Sequence, residues 1–165
     1  MMYVLDANIL IEAKNRYYSF DIAPGFWFWL ESTYKQGQTC SIEAVRDEIL
    51  QGDDELAEWA RAHPDFFKPI DLETTRQFPV LTAWATSRSY RPEAVAAFTQ
   101  NNADYLLIAY ASARNHTVVT HERSEPNSKK RILIPDACNA VGVKTVNTFQ
   151  MMRATGAALE FRASA

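Results

Sequence analysis

The sequence predicts an α/β fold: a three-layer α/β/α sandwich around a central, mostly parallel sheet of about four or five strands. Short apolar runs rich in β-branched residues recur at 2–5, 116–120 and 132–134, and such runs read as buried strands. Helical patterning fills the intervals, and the stretch between 42 and 115 reads as nearly all helix. Acids stand just after several of the runs, at what would be the carboxyl edge of a parallel sheet, where ligands of such folds bind.

In chain order, residues 2–5 form the first strand and Asp6 ends it. Asp6 has the chemistry to cap the following helix, and Asn8 to cap a helix or support a ligand. A helix starts over 9–13 and frays near 14–18. Pro24 opens an aromatic helix through Phe26-Trp27-Phe28-Trp29-Leu30 to about Gln36, and Gly37 ends it. Its aromatics surround much of the helix, which predicts core packing or, in part, an interface. Thr39-Cys40 is strand-like, and Ser41 has the chemistry of an N-cap for a helix over 42–50. There Ile42, Val45 and Ile49 form an apolar stripe with Glu48 at its edge. Asp53 is the expected cap of a helix over 54–62.

A short strand is expected at 68–70, and a helix over 73–87 that Pro79 disturbs in its first half. Pro92 opens a helix over 93–98, and Asn101-Asn102 break the chain before an amphipathic helix over 103–114 with Asp104 in its first turn. A strand, His116-Thr117-Val118-Val119-Thr120, runs into His121-Glu122. After a polar loop carrying Lys129-Lys130-Arg131, Ile132-Leu133-Ile134 reads as another strand, stopped by Pro135-Asp136, with a helical turn over 137–140. A last strand covers 143–146, and Asn147 caps a final helix to about Ala154. Residues 1–155 make one domain and 156–165 a C-terminal tail, with no internal repeat.

The composition is that of a globular domain: 165 residues, 47% apolar and 22% charged. A net charge of −3 excludes a bulk polycation, so any nucleic acid must be held by a local basic patch. Cys40 and Cys138 lie far apart and outside any metal-ligand spacing, which suits two buried thiols in a reducing cytosol. There is no secretory signal, and no apolar run approaches a membrane span. The expectation is a cytoplasmic protein without a membrane partner.

The candidate chemistry lies in the acids at element ends: Asp6, Glu48, Asp104, Glu122 and Asp136. Carboxylates crowded at one sheet edge repel one another unless a cation joins them. Mg²⁺ and Mn²⁺ take oxygen ligands, usually a few carboxylates with water. Such a site suits phosphodiester hydrolysis, which needs acids and metal rather than a Ser/His/Asp set. No pair of histidines has zinc spacing. His121, beside Glu122, has the chemistry of a general base.

The order Asp6-x-Asn8 after the first strand, Glu48 in a helix after Ser41, Asp104 in Ala-Asp-Tyr-Leu-Leu-Ile-Ala, and Thr120-His-Glu122 after a strand resembles a PIN domain over residues 2 to about 150. Ile134-Pro135-Asp136-Ala137-Cys138 and the long helical middle are similar to a PIN-like bacterial subfamily. The resemblance implies a metal-dependent nuclease, and in particular a ribonuclease toxin of the VapC type inhibited by a cognate antitoxin. It assigns metal binding to Asp6, Glu48 and Asp104, and to Glu122 where the family usually has Asp. The longer side chain leaves two options open: Glu122 acting through water, or Asp136 taking its place. Asn8, Ser41 and Thr120 match polar positions that orient the ligands.

The expected activity is therefore a Mg²⁺/Mn²⁺-dependent endoribonuclease with RNA as substrate, an antitoxin partner and a possible homodimer. Lys129-Lys130-Arg131, Arg16 and Arg46 are candidate phosphate contacts, and Tyr17, Tyr18 and Tyr105 candidate base-stacking residues. The alternative is a non-catalytic PIN-like module that binds RNA or protein, suggested by the Glu122 departure. A phosphatase of the haloacid dehalogenase type would want a second Asp where Asn8 stands.

Overall fold

Five short strands form one parallel sheet in the order β3-β2-β1-β4-β5. They are β1 (Tyr3–Leu5), β2 (Thr39–Ile42), β3 (Phe67–Lys68), β4 (Thr117–Val119) and β5 (Thr145–Val146). A computed structural model describes residues 1–100 and 102–164. The middle of the sheet is fully buried: Val4, Leu5, Cys40, Ile42, Val118 and Val119 are closed to solvent. Strands covered on both faces read as continuous apolar runs, which is why β1 and β4 were legible. In register, Val4 pairs with Cys40 on one side and Val118 on the other.

Connections between parallel strands are right-handed. The chain therefore lays α1 (Ala7–Glu12), α2 (Pro24–Lys35), α3 (Glu43–Leu50) and α4 (Glu55–Ala62) on one face. It lays α5 (Leu72–Thr75), α6 (Phe78–Ser87), α7 (Pro92–Thr99), α8 (Ala103–Arg114) and α9 (Ile134–Ala140) on the other. A last helix, α10 (Thr148–Ala154), follows β5. The result is the three-layer α/β/α architecture, with a PIN-like fold. Among the described residues, no helix is long and apolar enough to cross a membrane.

Several elements differ from the expectation. Residues 132–134 form no strand: Ile132, Leu133 and Ile134 are buried as the approach to α9, whose first turn takes Pro135. An apolar triplet reads alike in a buried loop and a strand, and the sheet position beside β4 goes to Thr145–Val146. The helix expected over 73–87 is two helices, α5 and α6, because Pro79 belongs to the first turn of the second and cannot lie inside one continuous helix. β3 is Phe67–Lys68 rather than 68–70. Asp54, not Asp53, caps α4: its Oδ1 accepts from the Ala57 N–H at 3.0 Å while Oδ2 pairs with Lys14. Ser41 is no cap, since it lies within β2 and α3 starts from Ile42 without a side-chain bond.

Other readings hold. Asp6 caps α1, and Asn147 forms a capping box with Gln150 on α10. α8 occupies its expected bounds and ends at Asn115 in a left-handed conformation, φ 54°. α2 buries Phe26, Trp27 and Leu30 but leaves Phe28 69% exposed, so its aromatics serve both core and surface. The break at Asn102 is the N-cap of α8, while Asn101 lies outside the described residues. From 157 to 164 the tail is neither helix nor strand, and residues 158–162 share a hollow with 21–26 and α2; Ala165 lies outside the described residues.

Candidate metal centre

The strand order reverses between β1 and β4: connections from β1 run one way across the sheet and those from β4 the other. Helices on opposite faces diverge there and leave a crevice at the carboxyl ends, the usual ligand position in such sheets. Asp6 leaves β1 and Thr120-His121-Glu122 leaves β4 at this point, and the Asp6 N–H donates to the Val119 carbonyl at 3.2 Å.

Asp6 is 2% exposed. Its Oδ1 accepts from the Ile9 N–H at 2.9 Å, which caps α1. Its Oδ2 is buried without a hydrogen-bond partner. Burial pushes its pKa up to about 6, while the neighbouring Thr120 hydroxyl and the Ile9 N–H offset this in part. Capping therefore explains one oxygen of Asp6 and not the other. A buried acceptor left unpaired is costly unless something else satisfies it.

Asp104 lies in the first turn of α8, where its own N–H donates to the Asn102 side chain at 2.7 Å. Burial raises its pKa most, and the charges of Asp6, Glu122 and Glu48 raise it further, to about 7; Arg131 pulls it down only in part. The fold thus brings together Asp6, Glu48, Asp104 and Glu122 from four separate places in the chain. Glu48 sits at the rim on α3, open to solvent, yet burial still raises its carboxyl. Cys138, on α9, is buried against the same group. Burial raises its thiol first, then the charges of Asp104, Asp6 and Glu122.

Glu122 has both oxygens engaged. Oε1 accepts from Arg131 at 2.5 Å and Oε2 from the Ile134 N–H at 2.8 Å. It anchors the start of α9 and carries a counter-charge beside the acids. Asp136 is held elsewhere: its oxygens accept from the Ser124 hydroxyl at 2.5 Å and the Glu125 N–H at 3.0 Å, and it lines a separate hollow with Trp84, Tyr90 and Asn139. Thr120 is buried, and its Oγ1 accepts from the Glu122 N–H at 3.1 Å. Ser41 donates to the Leu5 carbonyl at 2.6 Å, tying β2 to β1 one residue before Asp6. Asn8 is exposed on the first turn of α1. His121 has both ring nitrogens occupied, Nδ1 by Glu12 at 2.5 Å and Nε2 by Thr148 at 2.8 Å, so it braces the loop and is not free to act as a base.

Among the described residues, no three His, Cys, Asp or Glu side chains stand close enough to enclose an ion by themselves. The arrangement does fit a hard cation held by few protein oxygens, with water and substrate oxygens completing the shell, as is usual for Mg²⁺. Asp6, with its unpartnered oxygen, and Asp104 would be the residues to hold it. Sequence reading missed Arg131 as the cation beside Glu122 and Cys138 as the thiol against the acids. The Lys129-Lys130-Arg131 run was visible, but pairing across nine residues leaves no periodic signal.

The fold, a five-stranded parallel sheet between two helical layers, is PIN-like. The chain belongs to the family described as a domain of unknown function (DUF4411), whose model matches residues 3–159. No curated protein matches it. A chain in the crystal structure of VapBC2 from Rickettsia felis, bound to a DNA fragment from their promoter, is similar in fold: 17% identity, TM-score 0.58, covering 89% of this chain and 98% of that one.

Proposed function

We propose that this protein is a Mg²⁺- or Mn²⁺-dependent endoribonuclease and the toxin of a toxin–antitoxin pair. The observation that carries the reading is the pairing of Asp6 and Asp104 in the switch-point crevice. Both carboxyls are pushed well above the usual range, and Asp6 keeps a buried oxygen without a partner. A site short of positive charge in this way favours a cation. Asp6 and Asp104 would hold the metal, Glu48 would reach it from the rim, and Glu122 would position α9 and Arg131 at its edge. Bound there, a divalent ion supplies a nucleophilic water and charge stabilisation for phosphodiester hydrolysis. Arg131, paired with Glu122, would meet the phosphate from the edge of the site. The fold likeness to a chain of VapBC2 supports an antitoxin partner, and a homodimer is compatible with this reading.

The second reading, a non-catalytic RNA- or protein-binding module, is favoured by one observation: Glu122 is fully engaged by Arg131 and Ile134. Cleavage of labelled RNA separates the two. The nuclease cuts RNA with Mn²⁺ and stops on chelation. Asp104→Asn lowers the rate at least about 100-fold, the upper end of what loss of a merely supporting group costs. Intact RNA with the metal-loaded, antitoxin-free protein rejects the nuclease.

A further inference from the structure

Beside the acid crevice, the chain ends of β4 and β5 open a second hollow of about 490 Å³. Thr120 and Glu122 line it, so it adjoins the acids directly. The groups around it have a common chemistry that the metal centre does not use.

Two large aromatic rings stand at its mouth, Tyr17 at 51% exposure and Phe149 at 44%. They meet edge to face with centroids 6.3 Å apart. Tyr17 ends a π-helical segment, Ala13–Tyr17, in which the Tyr18 N–H reaches back to the Ala13 carbonyl at 2.6 Å. A π turn is rare, and it is frequent at functional sites. Here it separates two neighbouring tyrosines: Tyr18 stacks on the buried Phe26 at 4.4 Å, while Tyr17 is left at the hollow.

Asn147 and Gln150 also line the hollow. Their amides are oriented by the capping box, since Asn147 Oδ1 accepts from the Gln150 N–H and Gln150 Oε1 from the Asn147 N–H, each at 2.9 Å. A backbone N–H can pair only with the amide oxygen, so each side chain keeps its NH₂ group for another acceptor. His121 makes a rigid wall, locked by Glu12 and Thr148. Arg123 is exposed at the edge.

We infer that this hollow is a nucleobase subsite for the RNA nucleotide flanking the scissile phosphate, an inference that rests on the ribonuclease reading of the adjoining acids. The base stacks on one of the two rings, Tyr17 or Phe149, and meets the other edge to face, the free NH₂ groups of Asn147 and Gln150 donate to its acceptors, and Arg123 meets a phosphate. Unstacked single-stranded bases are recognised by such a combination of aromatic stacking and edge hydrogen bonds. Two amide donors favour uracil, with two exocyclic carbonyls, over adenine, which has none.

The test is fluorescence anisotropy of labelled oligo-U and oligo-A on the full chain carrying Asp104→Asn, to prevent cleavage. Oligo-U should bind at least about fivefold more tightly, and Tyr17→Ala or Phe149→Ala should each weaken it by at least about fivefold, the low end for loss of one stacking contact. Gln150→Glu keeps the acceptor that the capping box needs and replaces the NH₂ donor with a carboxylate oxygen, whose charge weakens both oligomers alike, so the ratio of U to A binding is what it tests. It should leave the melting temperature near that of the parent and erase the preference for U. Variants that bind and discriminate as the parent does overturn the subsite, as does failure of the parent to bind either oligomer. Cleavage by the wild-type chain with Mn²⁺ tells the two failures apart. RNA cut equally well by Tyr17→Ala and Gln150→Glu removes the subsite and leaves the nuclease. RNA bound at the hollow by the variant series but never cut leaves the subsite and removes the nuclease.

Discussion

Asp6 and Asp104 decide how this protein responds to pH. Their carboxyls in the folded state lie near 6 and 7, against 3.8 for an unperturbed Asp. The folded chain therefore holds protons that the unfolded chain releases between those values. The stability they contribute is full below the unfolded pKa and is lost as pH rises through 6 and then 7. At pH 8 and without metal, both acids are charged, Asp6 buried and Asp104 half-buried. Asp104→Asn should then stabilise the metal-free protein by about 1–3 kcal/mol, which in a domain of this size is about 2–4 °C in Tm per kcal/mol. At pH 3, below the unfolded pKa, the same substitution should change Tm little, because Asp104 is then largely protonated in both states. Thermal melts at the two pH values check this directly. Ser41→Ala tests a different residue, since its hydroxyl is buried on the Leu5 carbonyl at 2.6 Å. Its loss should cost about 1–2 kcal/mol in urea unfolding, with a larger effect on metal binding if β1 shifts under Asp6.

At the scale of elements, β1, β4 and α8 were legible because each carries an unbroken local signal. β1 and β4 are apolar runs ended by polar residues, and α8 has a side-chain cap, an apolar face and a left-handed end at Asn115. The 132–134 triplet was not legible, because its state is set by a distant group. Glu122 accepts the Ile134 N–H and so fixes the first turn of α9 in place of a strand. Glu122→Ala should therefore destabilise the fold by about 1–3 kcal/mol, the range for a buried N–H left unpaired. Hydrogen exchange should show earlier loss of protection over 134–140 than in the rest of the sheet layer. If Glu122 were a loop acid with no structural role, neither change would occur. The split of the 73–87 stretch follows a local cause, Pro79, which was visible in the sequence although the size of its effect was not.

For the whole molecule, the gathering of acids follows from strand order. Asp6 and Asp104 lie 98 residues apart in numbering, and no periodicity links them. Their convergence depends on β1 and β4 being neighbours at the point where the sheet reverses direction. Motif order suggested Asp6, Glu48, Asp104 and Glu122 together, and the fold brings those four into one electrostatic group while Asp136, in the first turn of α9, is held by Ser124 and Glu125. Arg131 as a phosphate contact and Tyr17 as a base-stacking residue were candidates from the sequence, but the Arg131–Glu122 pair, the place of Cys138 against the acids and the hollow beside Tyr17 were not legible, since each depends on contacts across separate connections. Calorimetric titration of Mn²⁺ decides whether Asp6 and Asp104 form the proposed divalent-cation site. Carboxylate-dependent binding is expected at pH 8, weakening as pH falls through 7 and 6 and lost in the folded double variant Asp6→Asn with Asp104→Asn. Equal binding in wild type and double variant, or no binding in wild type at pH 8, would contradict it.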